Sequence, residues 1–250
     1  MSDEFGLILG SGFEQLGLEV LTRSPTKTPY GEPSSAIVTV GIGALRCACI
    51  VRHGEARTLA PHEINYRANL WALHQRGVRT CVAVNTVGAI AAGFSPGDLA
   101  VPDQLIDYTS GRAVTFSGNG APVVHIDFTE PFAPLLRGHV AAAIADCGFR
   151  VRAGTYGVTQ GPRLETAAEI DRMARDGCAM VGMTAMPEAA LARELGIDYA
   201  ICAVVVNYAA GRAPDGGLIL EQIERFGELG MQRVAAVLTR LAKRIGESAM

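Results

Sequence analysis

Across residues 157–211 apolar runs of strand length alternate with helix-patterned segments, and polar loops gather at the ends of these runs. Gln160-Gly161-Pro162-Arg163-Leu164-Glu165 comes just before a helix start. Gly182-Met183-Thr184 follows the apolar run 179–181, and Val206-Asn207-Tyr208 closes the run 201–206. Strands alternating with helices dictate an α/β architecture, and in open α/β sheets ligands sit outside the carboxyl ends of strands. A carboxylate, a hydroxyl and an amide reaching one rim from three strands are expected to form a small-molecule site.

The chain has 250 residues, long enough for a large core. No repeat, low-complexity tract or linker divides it, so residues 1–250 are expected to form one domain. Hydrophobic residues make up 49%, yet no uncharged apolar run reaches the roughly 18 residues of a membrane span. The start, Met1-Ser2-Asp3-Glu4, is acidic where a signal peptide is basic and then apolar, which points to the cytoplasm. The 22 basic and 25 acidic residues are intermixed at a net charge of −3, without a nucleic-acid footprint. Six cysteines (Cys47, Cys49, Cys81, Cys147, Cys178, Cys202) include no CxxC pair, so they read as reduced core groups and not as a zinc site.

Taken in order, residues 5–9 form a strand into Gly10-Ser11-Gly12. Gly17 comes too late for GxGxxG, which leaves a plain tight turn or one whose N–H groups and Ser11 hydroxyl meet an anion. Residues 25–33 are a loop. Residues 36–40 and 45–51 read as strands about the turn 41–43, the second ending in Arg52-His53-Gly54. That pair is either a solvated strand end or, opposite an anion, a phosphate clamp. Residues 65–75 have helical spacing, stopped by Gly77. Residues 80–84 are a buried strand leading into a loop with Asn85 and Thr86. Pro96-Gly97-Asp98 suits a type II turn, and 99–106 is a further strand. Residues 109–122, polar and glycine-rich, are expected to be a mobile loop over a site or at an interface.

A helix follows over 131–147 and a strand over 151–158. Thr166-Ala167-Ala168-Glu169 is a capping box, which leaves Glu165 just outside the positive helix end. Pro187 opens a helix that Gly196 closes, and the macrodipole accounts for Glu188 in its first turn. Residues 220–245 form an amphipathic helix weakened near Gly227 and Gly230.

GPRLETAAE followed by VGMTAMPEAALARELG resembles the purine nucleoside phosphorylase and methylthioadenosine phosphorylase family. Arg52-His53-Gly54, the segment 65–73, Pro96-Gly97-Asp98 and His125-Ile126 resemble its methylthioadenosine branch in order and spacing. The resemblance spans about residues 10–211. It implies a mixed, twisted, distorted barrel-like central sheet flanked by helices, a homotrimer, and phosphorolysis of a nucleoside without metal or cofactor, phosphate being the co-substrate. Carried over, Ser11, Arg52, His53, Asn85, Thr86 and Thr184 hold phosphate. Met183 lies along the ribose, Leu164 packs on the base, and His125 reaches a neighbouring subunit's site. Asn207 stabilises the departing purine, and Tyr208 packs under the base or fills the sheet.

Relatives acting on 6-aminopurines carry an aspartate at Asn207, a second acid at Ala209 and a small residue at Glu165, whereas 6-oxopurine phosphorylases share the Glu/Asn pair. The chemistry agrees. Hypoxanthine offers N1–H as a donor to an acceptor-only carboxylate, while adenine N1 would face it unpaired, at about 1–3 kcal/mol or more. An apolar segment after Pro214, with Leu220 as its best candidate, either suits a 5′-methylthio group or simply begins the last helix. The expected substrate is S-methyl-5′-thioinosine. Inosine or guanosine phosphorolysis, methylthioadenosine phosphorolysis, nucleoside hydrolysis and simple nucleoside binding are the alternatives.

Overall fold

The computed structural model describes residues 5–10, 12, 14–43, 45–118, 120, 122–214 and 216–248. Among them, eleven strands join one mixed sheet flanked by five α-helices. The strands are β1 (Phe5–Leu9), β2 (Glu19–Ser24), β3 (Ile37–Ile42), β4 (Leu45–Val51), β5 (Thr80–Ala89), β6 (Leu99–Ala100), β7 (Gln104–Asp107), β8 (Val151–Arg152), β9 (Thr155–Val158), β10 (Cys178–Gly182) and β11 (Asp198–Tyr208). The helices are α1 (Tyr66–Gln75), α2 (Pro134–Asp146), α3 (Ala167–Arg175), α4 (Ala185–Glu194) and α5 (Ile219–Ser248).

β1 and residues 199–206 of β11 are apolar without a break because both faces are covered. In β1, Leu7 and Leu9 enter one core with α2 and α5, while Ile8 enters the other with α1 and α4. The same alternation divides β11: Cys202 and Val204 face α5, and Ile201 and Ala203 face the opposite layer.

β5 is the spine. β11 runs parallel along it from Thr80 to Ala89 and occupies one edge. The other edge is shared. β1 pairs in parallel with residues 80–84, and β10 pairs antiparallel with residues 88–89. Two strands therefore approach end to end along one edge, with Asn85, Thr86 and Val87 between them. Asn85 and Thr86, expected in a loop, lie inside β5, whose apolar residues continue on both sides of them.

The expected strands over 99–106 and 151–158 are each divided in two. Pro102 cannot donate to a ladder, and Gly154 sits at φ +143°. Each chain segment changes neighbours at its break, so β6 and β8 extend the sheet from β11, while β7 and β9 extend it from β10. The result is the expected mixed central sheet flanked by helices.

Other expectations are met in detail. Thr166 and Glu169 form the reciprocal capping box. Gly97 at φ +95° and the bond from Asp98 N to Ser95 O make the expected turn. Met186, forced into extended geometry before Pro187, leaves Pro187 to start the regular part of α4. The strand β2 is absent from the sequence reading because it is an exposed edge strand with little apolar patterning. None of the six cysteines is in a disulfide. No helix among the described residues is long and apolar enough to cross a membrane.

Helix α5 continues through Gly227 and Gly230, and the two glycines differ. A Cβ at Gly230 would collide with Val204 Cγ1, whereas one at Gly227 would meet nothing within 4 Å. Gly230→Ala is expected to lose about 1–3 kcal/mol through overpacking, outweighing the gain in helix propensity. Gly227→Ala should gain about 0.5–1 kcal/mol. Urea midpoints of opposite sign for the two variants check the assignment.

Candidate active site

The gap along β5 opens into a cavity of about 220 Å³. Its polar lining is Arg52, His53, Thr86, Glu165, Thr184 and Asn207. Gly10, Leu164 and Met183 complete the chemistry-bearing rim, with Pro61, Val87, Val181, Val206 and Ile223 as the apolar remainder. Four strand ends deliver these groups. Gly10 follows β1, Arg52 and His53 follow β4, Met183 and Thr184 follow β10, and Asn207 lies at the end of β11.

Arg52 is buried, at 1% exposure, so the reading as a solvated strand end fails. Its Nε and Nη2 make a bidentate pair with Glu188 at 2.7 and 2.9 Å. Nη1 donates to Val84 O at 3.2 Å, and Nη2 also donates to Asn85 Oδ1 at 3.0 Å. Of five N–H groups, four are engaged and one remains on Nη1. A Cβ at Gly10 would stand 3.0 Å from Nη1, so glycine there keeps the guanidinium uncovered. Burial opposes the Arg52 charge, and the coulombic pull and hydrogen bonds of Glu188 outweigh it, leaving the guanidinium firmly protonated.

Glu188 corrects the sequence reading. It is not merely a helix-end carboxylate: it is fully buried, holds Arg52, and accepts a third bond from Tyr199 Oη at 2.8 Å. Burial, then the Glu188 charge, pushes the Tyr199 hydroxyl well above its ordinary pKa, so it remains a donor. The missed signal was a lone glutamate in the otherwise apolar segment Ala185-Met186-Pro187-Glu188-Ala189-Ala190-Leu191, since buried carboxylates are nearly always paired.

His53 Nδ1 lies 2.8 Å from Leu59 O, an acceptor, which fixes the proton on Nδ1 and turns Nε2 away as the free ring nitrogen. Burial, then the nearby Arg52 charge, lowers its pKa below 6.5. Asn85 is behind the cavity wall, where its Nδ2 donates to Thr184 Oγ1 at 3.0 Å. Because that hydroxyl is accepting from Asn85, its own hydrogen is free for a ligand. Thr86 is exposed at the cavity.

On the opposite side Glu165 is half-buried, and Thr159 Oγ1 donates to its Oε1 at 2.6 Å. Asn207 is buried and uses one Nδ2 hydrogen on Tyr208 O at 2.8 Å, leaving its other N–H and Oδ1. A register shift between Val205 and Asn207 against β5 breaks strict alternation, so adjacent Val206 and Asn207 both line the cavity.

The structure thus gathers Arg52, His53, Thr86, Thr184, Leu164, Glu165, Met183 and Asn207 around one cavity. Five other residues lie elsewhere. Asn85 acts from behind. Tyr208 packs against the core with its hydroxyl 3.3 Å from Ser95 Oγ, and Ala209 is buried in the cluster behind Val181. His125 is exposed and away from the cavity. Leu220 is 71% exposed, and Ile223, one turn along α5, is the residue that lines the cavity. Ser11 lies outside the described residues.

The family model of the phosphorylase superfamily matches residues 4–243. The chain belongs to the phosphorylase superfamily. A probable S-methyl-5′-thioinosine phosphorylase from Pseudomonas syringae is 46% identical over 95% of this chain and 97% of its own length. The 6-oxopurine nucleoside phosphorylase of Pyrococcus furiosus is 44% identical over 82% of this chain and 79% of its own. Methylthioadenosine phosphorylase from Schistosoma mansoni, solved with adenine, superposes with a TM-score of 0.91 at 29% identity, covering 98% of this chain and 92% of that one.

For this phosphorylase, Glu188→Gln turns a carboxylate oxygen that accepts from Arg52 into an amide donor and strands a buried charge. A loss of about 3–5 kcal/mol in denaturant melts is expected. The His53 ring should hold its proton on Nδ1 at neutral pH and take up the second only below pH 6.5, the ordinary value. Nitrogen chemical shifts of the imidazole across a pH titration check both statements; protonation midway at or above 6.5 would contradict them.

Proposed function

We propose that the chain catalyses phosphorolysis of S-methyl-5′-thioinosine to hypoxanthine and 5-methylthioribose 1-phosphate, in purine and methylthio salvage. One observation carries this reading: how the polar groups of the cavity divide. Arg52, His53, Thr86 and Thr184 suit an oxyanion, and Glu165 with Asn207 suits a 6-oxopurine. Every other residue of the described lining is glycine or apolar, Ile223 among them, and a 5′-hydroxyl would be left without a side-chain partner there. A methylthio group would not. Ile223 takes the part expected of Leu220.

In this mechanism phosphate lies between the remaining Arg52 N–H, the Thr184 and Thr86 hydroxyls and His53. One of its oxygens forms a bond to the anomeric carbon as the bond from that carbon to purine N9 breaks. The electron pair passes into the purine ring, and the proton brought in by hydrogenphosphate, given up as the sugar phosphate becomes a dianion, completes hypoxanthine. The free Asn207 N–H donates to N7, where negative charge develops. Glu165 accepts from N1–H, its carboxylate held in place by Thr159. Positioning supplies much of the rate, and neither a metal nor a cofactor enters.

The names of relatives support the reading, since four that are 46–55% identical to this chain are named probable S-methyl-5′-thioinosine phosphorylases. The likeness to a 6-oxopurine nucleoside phosphorylase supports the second reading, inosine or guanosine phosphorolysis. We also assign the enzyme to the cytoplasm as a homotrimer, in which exposed His125, flanked by the exposed Val123 and Val124, meets a neighbouring subunit.

Base release from methylthioinosine, methylthioadenosine, inosine and guanosine, each with and without phosphate, tests the proposal. Turnover that requires phosphate and favours methylthioinosine is expected. Preference for inosine would remove the apolar 5′ wall from the argument, preference for methylthioadenosine would refute the role of Glu165, and turnover without phosphate would indicate hydrolysis. Glu165→Gln, able to donate to adenine N1, should narrow the preference for 6-oxopurines by about tenfold or more.

A further inference from the structure

The described residues of the loop 109–122 have little regular structure, as its glycines suggest, yet one of them is fixed from many sides. Arg112 Nη2 donates to Gln160 O at 2.9 Å and Thr159 O at 3.3 Å, and Nε donates to Gln160 Oε1 at 3.1 Å. Nη1 donates to Met183 O at 2.8 Å and Met186 O at 2.6 Å, with Tyr66 Oη at 3.3 Å. The guanidinium also lies over the Tyr66 ring, 5.5 Å from its centroid. One side chain thus ties the segment carrying Thr159, Leu164 and Glu165 to the segment carrying Met183. The two segments also touch directly: a Cβ at Gly161 would collide with Met183 Sδ.

We propose that Arg112 is a positioning residue for the nucleoside half of the site. It sets the spacing between the wall bearing Glu165 and Leu164 and the wall bearing Met183. This rests on the reading above, in which those three residues face the nucleoside. The phosphate half has separate anchors: Glu188 holds Arg52, Leu59 O holds His53, and Asn85 holds Thr184. Arg112 also bonds Met183 O and Met186 O on either side of Thr184, but the Thr184 hydroxyl keeps its own anchor in Asn85, so the phosphate donors are oriented by side-chain bonds that Arg112 does not make. A planar fork can span both walls at once, whereas the lysine ammonium is a single point and reaches only one.

The test compares the full-length wild type with Arg112→Lys and Arg112→Ala, using whichever of the four nucleosides the wild type cleaves best. The choice of nucleoside lets the substrate proposal fail without touching this one. Arg112→Lys should raise the nucleoside KM about tenfold and leave the phosphate KM within about twofold. Added guanidinium ion, at concentrations well below denaturing, should restore part of the nucleoside KM in Arg112→Ala. Equal rises in both KM values, a rise in phosphate KM alone, or no rise at all would overturn the assignment. Should the alanine variant fail to fold, the split measured in the lysine variant decides.

Discussion

A guanidinium and a carboxylate withdrawn from water set the layout of this enzyme. Arg52 leaves β4, Glu188 stands in α4, and their partners Val84, Asn85 and Tyr199 come from β5 and β11. Four elements are thus fixed to one another at the bottom of the cavity. Burying such a pair is expensive, and apolar side chains of equal volume often stabilise a fold as well or better. The pair is better explained by what it presents than by stability. With four N–H groups engaged, Arg52 cannot swing, and the fifth emerges beside Gly10 at a set angle.

The same pairing governs the electrostatics. Glu188 cancels the Arg52 charge locally, and burial with the nearby Arg52 charge keeps His53 neutral at pH 7. An anion entering this cavity meets little net positive charge. It meets directed groups instead: the free Arg52 hydrogen, the Thr184 hydroxyl aimed outward by Asn85, the exposed Thr86 hydroxyl, and His53 Nε2, an acceptor that matches the O–H of hydrogenphosphate. Directional bonds of this kind discriminate a tetrahedral oxyanion by shape, where a bare cationic patch would hold any anion.

How much of this was legible depended on whether a residue's role is local. Thr166 and Glu169 form a capping box within four residues, and the Pro96-Gly97 turn is equally short, so both could be read from the sequence. The residues gathered at the cavity carried short motifs as well. Glu188 could not be placed, because its partner is 136 positions away and only packing reveals it. Asn85 and Thr86 were given to a loop since polar residues rarely continue a buried strand. They do so here because β1 and β10 both end beside them, one from each side. Leu220 and Ile223 lie in one helix, and sequence pattern gave no means of telling which would face the cavity. Gly230 read as a weak point, yet it is where α5 comes closest to Val204.

The least legible residue is Arg112, in a segment whose composition argued only for mobility. Its bonds go mostly to backbone carbonyls, which leave no trace in the identity of the residues that supply them. A guanidinium can hold irregular chain in this way where strands and helices cannot, since such chain lacks regular partners for its carbonyls. The site therefore joins two kinds of order. On the phosphate side, donors stand on strands and a helix locked by a buried ion pair. On the nucleoside side, the walls are loops gathered by one arginine. The rigid half suits a ligand shared by the reaction class, and the gathered half suits one that must be told apart from close analogues. Adjusting a few loop residues can then change the nucleoside with little effect on the anion site, because the side-chain bonds that orient Arg52, His53 and Thr184 come from Glu188, Leu59 and Asn85 and not from Arg112.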